Sequence, residues 1–136
     1  MKKLLIILLM GLLLVSCGSN EKTNESVKEV DKPEITYKTI DPKQAKENMD
    51  NDESILLLDV RTQEEFDIGH IVGAELLTLD LIKDSIEGIY TDKSQTIYVY
   101  CRSGNRSKTA SNIMIELGYE NVYDLGGILS WPYDTE

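Results

Sequence analysis

From Ser54 to Val60 the chain reads Ser-Ile-Leu-Leu-Leu-Asp-Val. A continuous apolar run this short is the pattern of a strand buried on both faces, the mark of a parallel sheet. Strands and helices should then alternate along the chain, and they do. Residues 35–40 and 74–79 are further strand candidates, Thr96-Ile97-Tyr98-Val99-Tyr100 is rich in β-branched and aromatic residues, and Asn121 to Leu125 is the last strand. Between them, Asp41-Pro42 places a capping residue before a proline at the first helical position, opening a helix to about Met49. Thr62-Gln63-Glu64-Glu65 fits a capping box and starts a short helix that Gly69 helps to end. Leu79 to Ile86 forms the next helix. The last carries Ala110, Ile113, Met114 and Leu117 at i, i+3, i+4 and i+7, with Gly118 closing it. The expectation is an α/β domain over residues 35–136, with a mainly parallel five-stranded sheet and helices on both faces.

Composition narrows the function. The 136 residues fit one domain of ordinary size, and 41% hydrophobic content with 28% charged argues against a wholly disordered chain. Asp and Glu number 24 against 14 Lys and Arg, a net charge of −10. That weighs against nucleic-acid binding, which draws most of its affinity from clustered cations. The two cysteines, Cys17 and Cys101, exclude a disulfide scaffold.

The N-terminus reads as an address. Met1-Lys2-Lys3 supplies positive charge, Leu4 to Val15 is apolar apart from Gly11, and Ser16 precedes Cys17. Twelve residues make about 18 Å of helix, short of the roughly 30 Å hydrocarbon core. Leu14-Val15-Ser16-Cys17 resembles the lipobox of bacterial lipoproteins. The resemblance implies a signal peptide over 1–16, a lipidated Cys17 and an extracytoplasmic protein anchored at the bacterial cell envelope. Cleavage there removes two lysines and no acids, taking the charge from −10 to −12. Residues 17–34 lack apolar periodicity and read as a flexible tether with an r.m.s. span of roughly 20 to 24 Å.

Cys101 is the chemically informative residue. In open α/β sheets the ligand site lies beyond the carboxyl ends of the strands. Cys101 follows the strand ending at Tyr100, and Arg102-Ser103-Gly104-Asn105-Arg106-Ser107 leads straight into a helix. Backbone amides, the positive helix end and two guanidinium groups there all favour a thiolate. Small residues let the loop curl with its amides inward, as an anion cradle. A buried, inert cysteine is the plain alternative, but such a residue does not ordinarily begin a Gly/Ser/Asn turn flanked by two arginines.

From about Thr36 to Trp131 the chain resembles a single rhodanese (thiosulfate sulfurtransferase) domain. The likeness rests on the loop Cys101 to Arg106, on Leu58-Asp59-Val60-Arg61 with Glu64-Glu65-Phe66, on Gly69-His70-Ile71-Val72-Gly73-Ala74, and on Gly126-Gly127 with Trp131. It implies that Cys101 takes the outer sulfur of a small anionic donor such as thiosulfate and passes it, as a persulfide, to a thiol or other nucleophile. No metal or cofactor is implied, and a monomer is expected. By matching position, Arg102 and Arg106 hold the donor oxyanions while the amides of Ser103, Gly104 and Asn105 line the cradle. Ser107 is expected to cap the following helix. Asp59 and Arg61 are expected to form a buried brace beside the loop. His70 is expected to pack and hydrogen-bond rather than act as a base, and Trp131 to pack the last short helix onto the core.

Two other functions remain open on the sequence. A tethered sulfur carrier or sensor would keep Cys101 and the fold but depend on a partner protein. A cysteine phosphatase or arsenate reductase would need five residues between cysteine and arginine, whereas four lie between Cys101 and Arg106, and Tyr100 stands where tyrosine phosphatases carry histidine.

Overall fold

The computed structural model describes residues 34–136; the expected signal peptide, Cys17 and all of the expected tether but Glu34 lie outside the described residues. Its elements in chain order are β1 (Lys38–Thr39), α1 (Pro42–Asn51), β2 (Leu56–Asp59), α2 (Gln63–Ile68), β3 (Glu75–Leu76), α3 (Leu79–Ile89), β4 (Thr96–Cys101), α4 (Asn105–Glu116) and β5 (Asn121–Gly127), then a 3-10 turn over Ile128–Ser130. The strands form one five-stranded sheet in the order β1-β5-β4-β2-β3, with every pairing parallel.

The sequence signals at the helix starts operate as physical caps. Asp41 accepts the Gln44 amide at 3.0 Å ahead of Pro42. Thr62 and Glu65 make both halves of a capping box, Thr62 Oγ1 accepting the Glu65 amide at 3.2 Å and Glu65 Oε2 accepting the Thr62 amide at 3.0 Å.

Alternate residues of the central strands divide the core. Leu56, Leu58, Val60, Ile97, Val99 and Cys101 pack with Ile82 and Ile86 of α3 and Ala110 and Met114 of α4. Leu57, Tyr98, Tyr100 and Leu125 pack on the other face with Ala45 of α1 and Ile71. Both faces are thus covered, which is why β2 and β4 carry no polar alternation.

Apart from shifts of one or two residues at element ends, four elements differ from the sequence expectation. β3 occupies only Glu75–Leu76 of residues 74–79, because it is an edge strand paired with β2 alone. β1 occupies only two of residues 35–40, because it is an edge strand with one neighbour and Ile35 is left 52% exposed. α3 runs to Ile89 rather than stopping at Ile86; Gly88 is carried inside it, a penalty of about 1 kcal/mol that a packed helix tolerates. On α4 the fully buried face is Ser107, Ala110, Ser111 and Met114, while Ile113 and Leu117 are only partly buried. Two small hydroxyl residues on that stripe bring the helix close to β4 and β5, and an apolar pattern does not register them.

The topology places the site. After β2 the chain steps outward to β3 at one edge, and after β4 it steps the opposite way to β5. The carboxyl ends of the adjacent strands β2 and β4 therefore feed diverging connections, and such a divergence opens a crevice in this class of sheet. Asp59 and Cys101 end those two strands.

Candidate active site

β4 carries Cys101 out to its carboxyl end, where it pairs in register with Gly127 and is 1% exposed. The chain then turns through Arg102 and Ser103 to Gly104, the N-cap of α4, whose φ of 104° is left-handed and so suits glycine. The turn through Arg102 and Ser103 directs the Gly104 amide back onto Cys101 Sγ at 3.0 Å. Burial pushes the Cys101 thiol up, but hydrogen bonds from the Ser107 amide and hydroxyl, the Gly104 amide and the Ser103 amide outweigh it, and the net direction is down.

This cradle differs from the expected one at Ser107. α4 begins at Asn105, so Ser107 lies inside the helix and is not its cap; its hydroxyl donates to the Gly104 carbonyl at 3.0 Å and approaches the Gly126 carbonyl at 3.3 Å. The same hydroxyl proton turned instead toward Sγ is the side-chain donor that favours the thiolate. Asn105 is exposed, and the amides that favour the thiolate are those of Ser103, Gly104 and Ser107. With the helix begun at Asn105, Ser107 falls in its first turn, and its amide is among those that favour the thiolate.

The arginines divide. Arg61 and Asp59 form the expected brace, with Nε and Nη2 donating to the carboxylate at 2.7 to 3.0 Å and the Arg61 amide donating to Oδ1 at 2.9 Å. Both are buried. Arg61 Nη2 also donates to the Gly69 carbonyl at 2.7 Å, tying the Gly69 to Ala74 stretch to the end of β2. Arg106 is bound bidentately by Glu65, at 2.7 and 2.8 Å. The Arg106 guanidinium, with the Thr62 amide, outweighs partial burial and holds the Glu65 carboxyl at about 2. Arg106 is therefore held by a carboxylate. Arg102 is exposed and has no ion-pair partner among the described residues.

Glu65 is the site residue that sequence reasoning passed over as such. Its visible signal was the capping box, and the same carboxylate that closes the box also reaches Arg106. His70 stacks on Phe66 at 3.6 Å between ring centroids; Nδ1 meets the Phe66 carbonyl at 2.9 Å, and Nε2 lies 3.6 Å from Glu136. This is the packing and hydrogen-bonding position expected of it. Trp131 packs against the core face that holds Leu57 and Tyr98.

The closing glycines seat the loop. A Cβ on Gly127 would collide with the Arg102 carbonyl and lie 2.7 Å from Ser103 Cα. The Leu129 amide donates to the same Arg102 carbonyl at 3.3 Å.

The carboxyl end of a parallel sheet thus presents a buried thiol to amides at a helix start, surroundings that favour its thiolate. Residues 41–133 match the rhodanese-like domain family, and the chain belongs to it. It is 37% identical over 71 residues to the thiosulfate sulfurtransferase PspE of Escherichia coli K12, covering 52% of this chain and 68% of that protein. It is 35% identical over 108 residues to a tRNA uridine(34) hydroxylase of Staphylococcus epidermidis, covering 76% of this chain. The chain spans about a third of the length of that relative, 33%. Among solved structures, one titled a rhodanese with anions from E. coli superposes with a TM-score of 0.57 at 32% identity, covering 60% of this chain and 96% of that one.

Proposed function

We propose that the domain is a sulfurtransferase working through a persulfide on Cys101. The observation that carries this reading is the single thiol held under converging amides, with Gly104 N at 3.0 Å and its pKa lowered in spite of burial. In the first half-reaction the Cys101 thiolate attacks the outer sulfur of a donor such as thiosulfate. A new S–S bond forms, the donor's own S–S bond breaks, and sulfite leaves with that electron pair. The persulfide keeps the single negative charge of the thiolate, and the cradle amides stabilise it. In the second half-reaction an acceptor thiolate takes the outer sulfur and returns Cys101 as a thiolate. Arg102 is the cation available to donor oxyanions, while Arg106, fixed by Glu65, adds positive potential beside the sulfur. The relationship to the E. coli thiosulfate sulfurtransferase supports sulfur transfer, and the four-residue spacing from Cys101 to Arg106 disfavours phosphate chemistry.

Mass spectrometry of the 34–136 domain after thiosulfate or polysulfide treatment should find one added sulfur on Cys101. Cys101→Ser should keep the fold by circular dichroism and lose all loading. Retained sulfur transfer in that variant would end the mechanism. Loading without turnover on a small thiol would point instead to a carrier that needs a partner protein.

We further propose, from the signal-like 1–16 segment and its Cys17, that the mature protein is lipid-anchored through Cys17 and acts on the extracytoplasmic side of a bacterial membrane. Cys17→Ser should move the full-length protein from the membrane fraction to the soluble fraction. Unchanged fractionation would reject the anchor.

A further inference from the structure

The two most exposed large apolar side chains among the described residues are Ile68, at 89%, and Leu129, at 66%. Singly exposed apolar residues are ordinary on a protein surface. These two are not placed singly, because both line one shallow pocket of about 410 Å³ together with Arg102. They reach it from different elements, Ile68 ending α2 and Leu129 sitting in the 3-10 turn after β5. The backbone at or beside each is tied to the active loop or to its brace. The Leu129 amide is bonded to the Arg102 carbonyl at 3.3 Å, and Gly69, next to Ile68, is held by Arg61 at 2.7 Å.

The charge of the pocket is equally specific. Arg61 is neutralised by Asp59, and Glu65 is paired with Arg106. Arg102 is left as the one lining cation without an ion pair among the described residues. Cys101 is only 1% exposed, so discrimination between substrates has to come from the residues around the sulfur rather than from the sulfur itself.

We propose that Ile68, Leu129 and Arg102 form an acceptor subsite for a thiol that bears an apolar side chain and a single anionic group. The inference rests on the sulfurtransferase reading and goes beyond it by naming the acceptor class. The transfer is balanced without an external oxidant. The acceptor thiolate R–S⁻ attacks the outer sulfur of Cys101–S–S⁻, forming R–S–S⁻. The internal S–S bond breaks, and its electron pair leaves on Cys101 Sγ as the thiolate that the cradle already favours. Arg102 draws in the anionic group while Ile68 and Leu129 cover the apolar one.

The test uses Cys101 preloaded with polysulfide, loading being verified by mass before any acceptor is added. Three acceptors are compared at equal thiolate concentration: acetyl-Cys-Leu, its carboxamide, and acetyl-Cys-Ser. The second-order rate with acetyl-Cys-Leu should exceed that with acetyl-Cys-Ser by about tenfold, the discrimination one apolar side chain can give in a pocket, and that with the carboxamide by about tenfold, the scale of one charge-assisted hydrogen bond to Arg102. Ile68→Ser and Leu129→Ser should each erode the preference for Leu over Ser and leave the preference for acid over amide. Arg102→Gln should do the reverse. Equal rates for the three acceptors on loaded wild-type protein overturn the subsite and leave sulfur transfer standing. Failure of Cys101 to load overturns the sulfurtransferase reading and the subsite with it.

Discussion

Cys101 sits where two opposed effects meet. Burial disfavours a charged sulfur, while hydrogen bonds from Ser107, Gly104 and Ser103 favour it and prevail. Removing one such donor should raise the thiol pKa, because a hydrogen bond to a charged group contributes about 1.5 to 3 kcal/mol and 1.36 kcal/mol corresponds to one pH unit. The rate of Cys101 alkylation by iodoacetamide should accordingly inflect below the ordinary cysteine value in the native protein. In Ser107→Ala the inflection should move up by about one pH unit, slowing alkylation at neutral pH. Gly104 offers no comparable handle, since its left-handed φ of 104° confounds any substitution with strain. An unchanged profile in Ser107→Ala would mean that its hydroxyl serves only the Gly104 and Gly126 carbonyls, which it meets at 3.0 and 3.3 Å.

At the scale of elements, two glycines outside the thiol's cradle should behave oppositely. Gly127 ends β5 directly against the backbone of the active loop, and a Cβ there meets Arg102 and Ser103 main-chain atoms that cannot swing aside. Overpacking of this kind costs about 1 to 3 kcal/mol. Gly127→Ala should lower stability in urea denaturation by that order and abolish sulfur loading, because the loop must move to admit it. Gly88 lies in the exposed part of α3, where an added methyl would have nothing within 4 Å, so Gly88→Ala should add about 0.5 to 1 kcal/mol and leave loading intact. Similar stability changes in the two variants would show that the loop does not rest on β5. This contact is also a measure of what the sequence could disclose. Capping chemistry is local, so Asp41, Thr62 and Glu65 announced their helices, and the apolar runs of β2 and β4 announced a buried parallel sheet. The cysteine loop was legible because one nucleophile stood beside small residues and arginines at a strand end. What stayed hidden depends on contacts distant in sequence: the Glu65 grip on Arg106 across 41 positions, the seat of the loop on Gly127, and the burial of Ser107 and Ser111. The placement of Asn105 and Ser107 inside α4 is of the same origin. The helix starts from Gly104, whose left-handed φ of 104° is set where the loop lies against the Gly126 backbone.

The whole molecule opposes its own site electrostatically. The chain carries −10 overall, yet the pocket beside the thiol presents Arg102 without an ion pair among the described residues. Which field an anionic donor feels depends on distance and on salt. The Debye length is about 30 Å at 0.01 M ionic strength and about 8 Å at 0.15 M. At low salt the negative body should therefore repel thiosulfate before Arg102 can attract it, whereas at physiological salt the repulsion fades over the approach and the short-range attraction at the pocket survives. kcat/KM for thiosulfate should thus rise between about 0.01 and 0.15 M salt, by a factor of a few. An uncharged organic trisulfide used as donor should show no such rise. The sign of the salt effect discriminates between the two fields: a fall in kcat/KM with salt would mean that the cationic pocket governs even the distant approach, and that the acidity of the body lies on surfaces turned away from the thiol. If the rise is found, adding lysines to the far surface should raise the low-salt rate while leaving the rate at about 0.15 M unchanged, because only the long-range field has been altered.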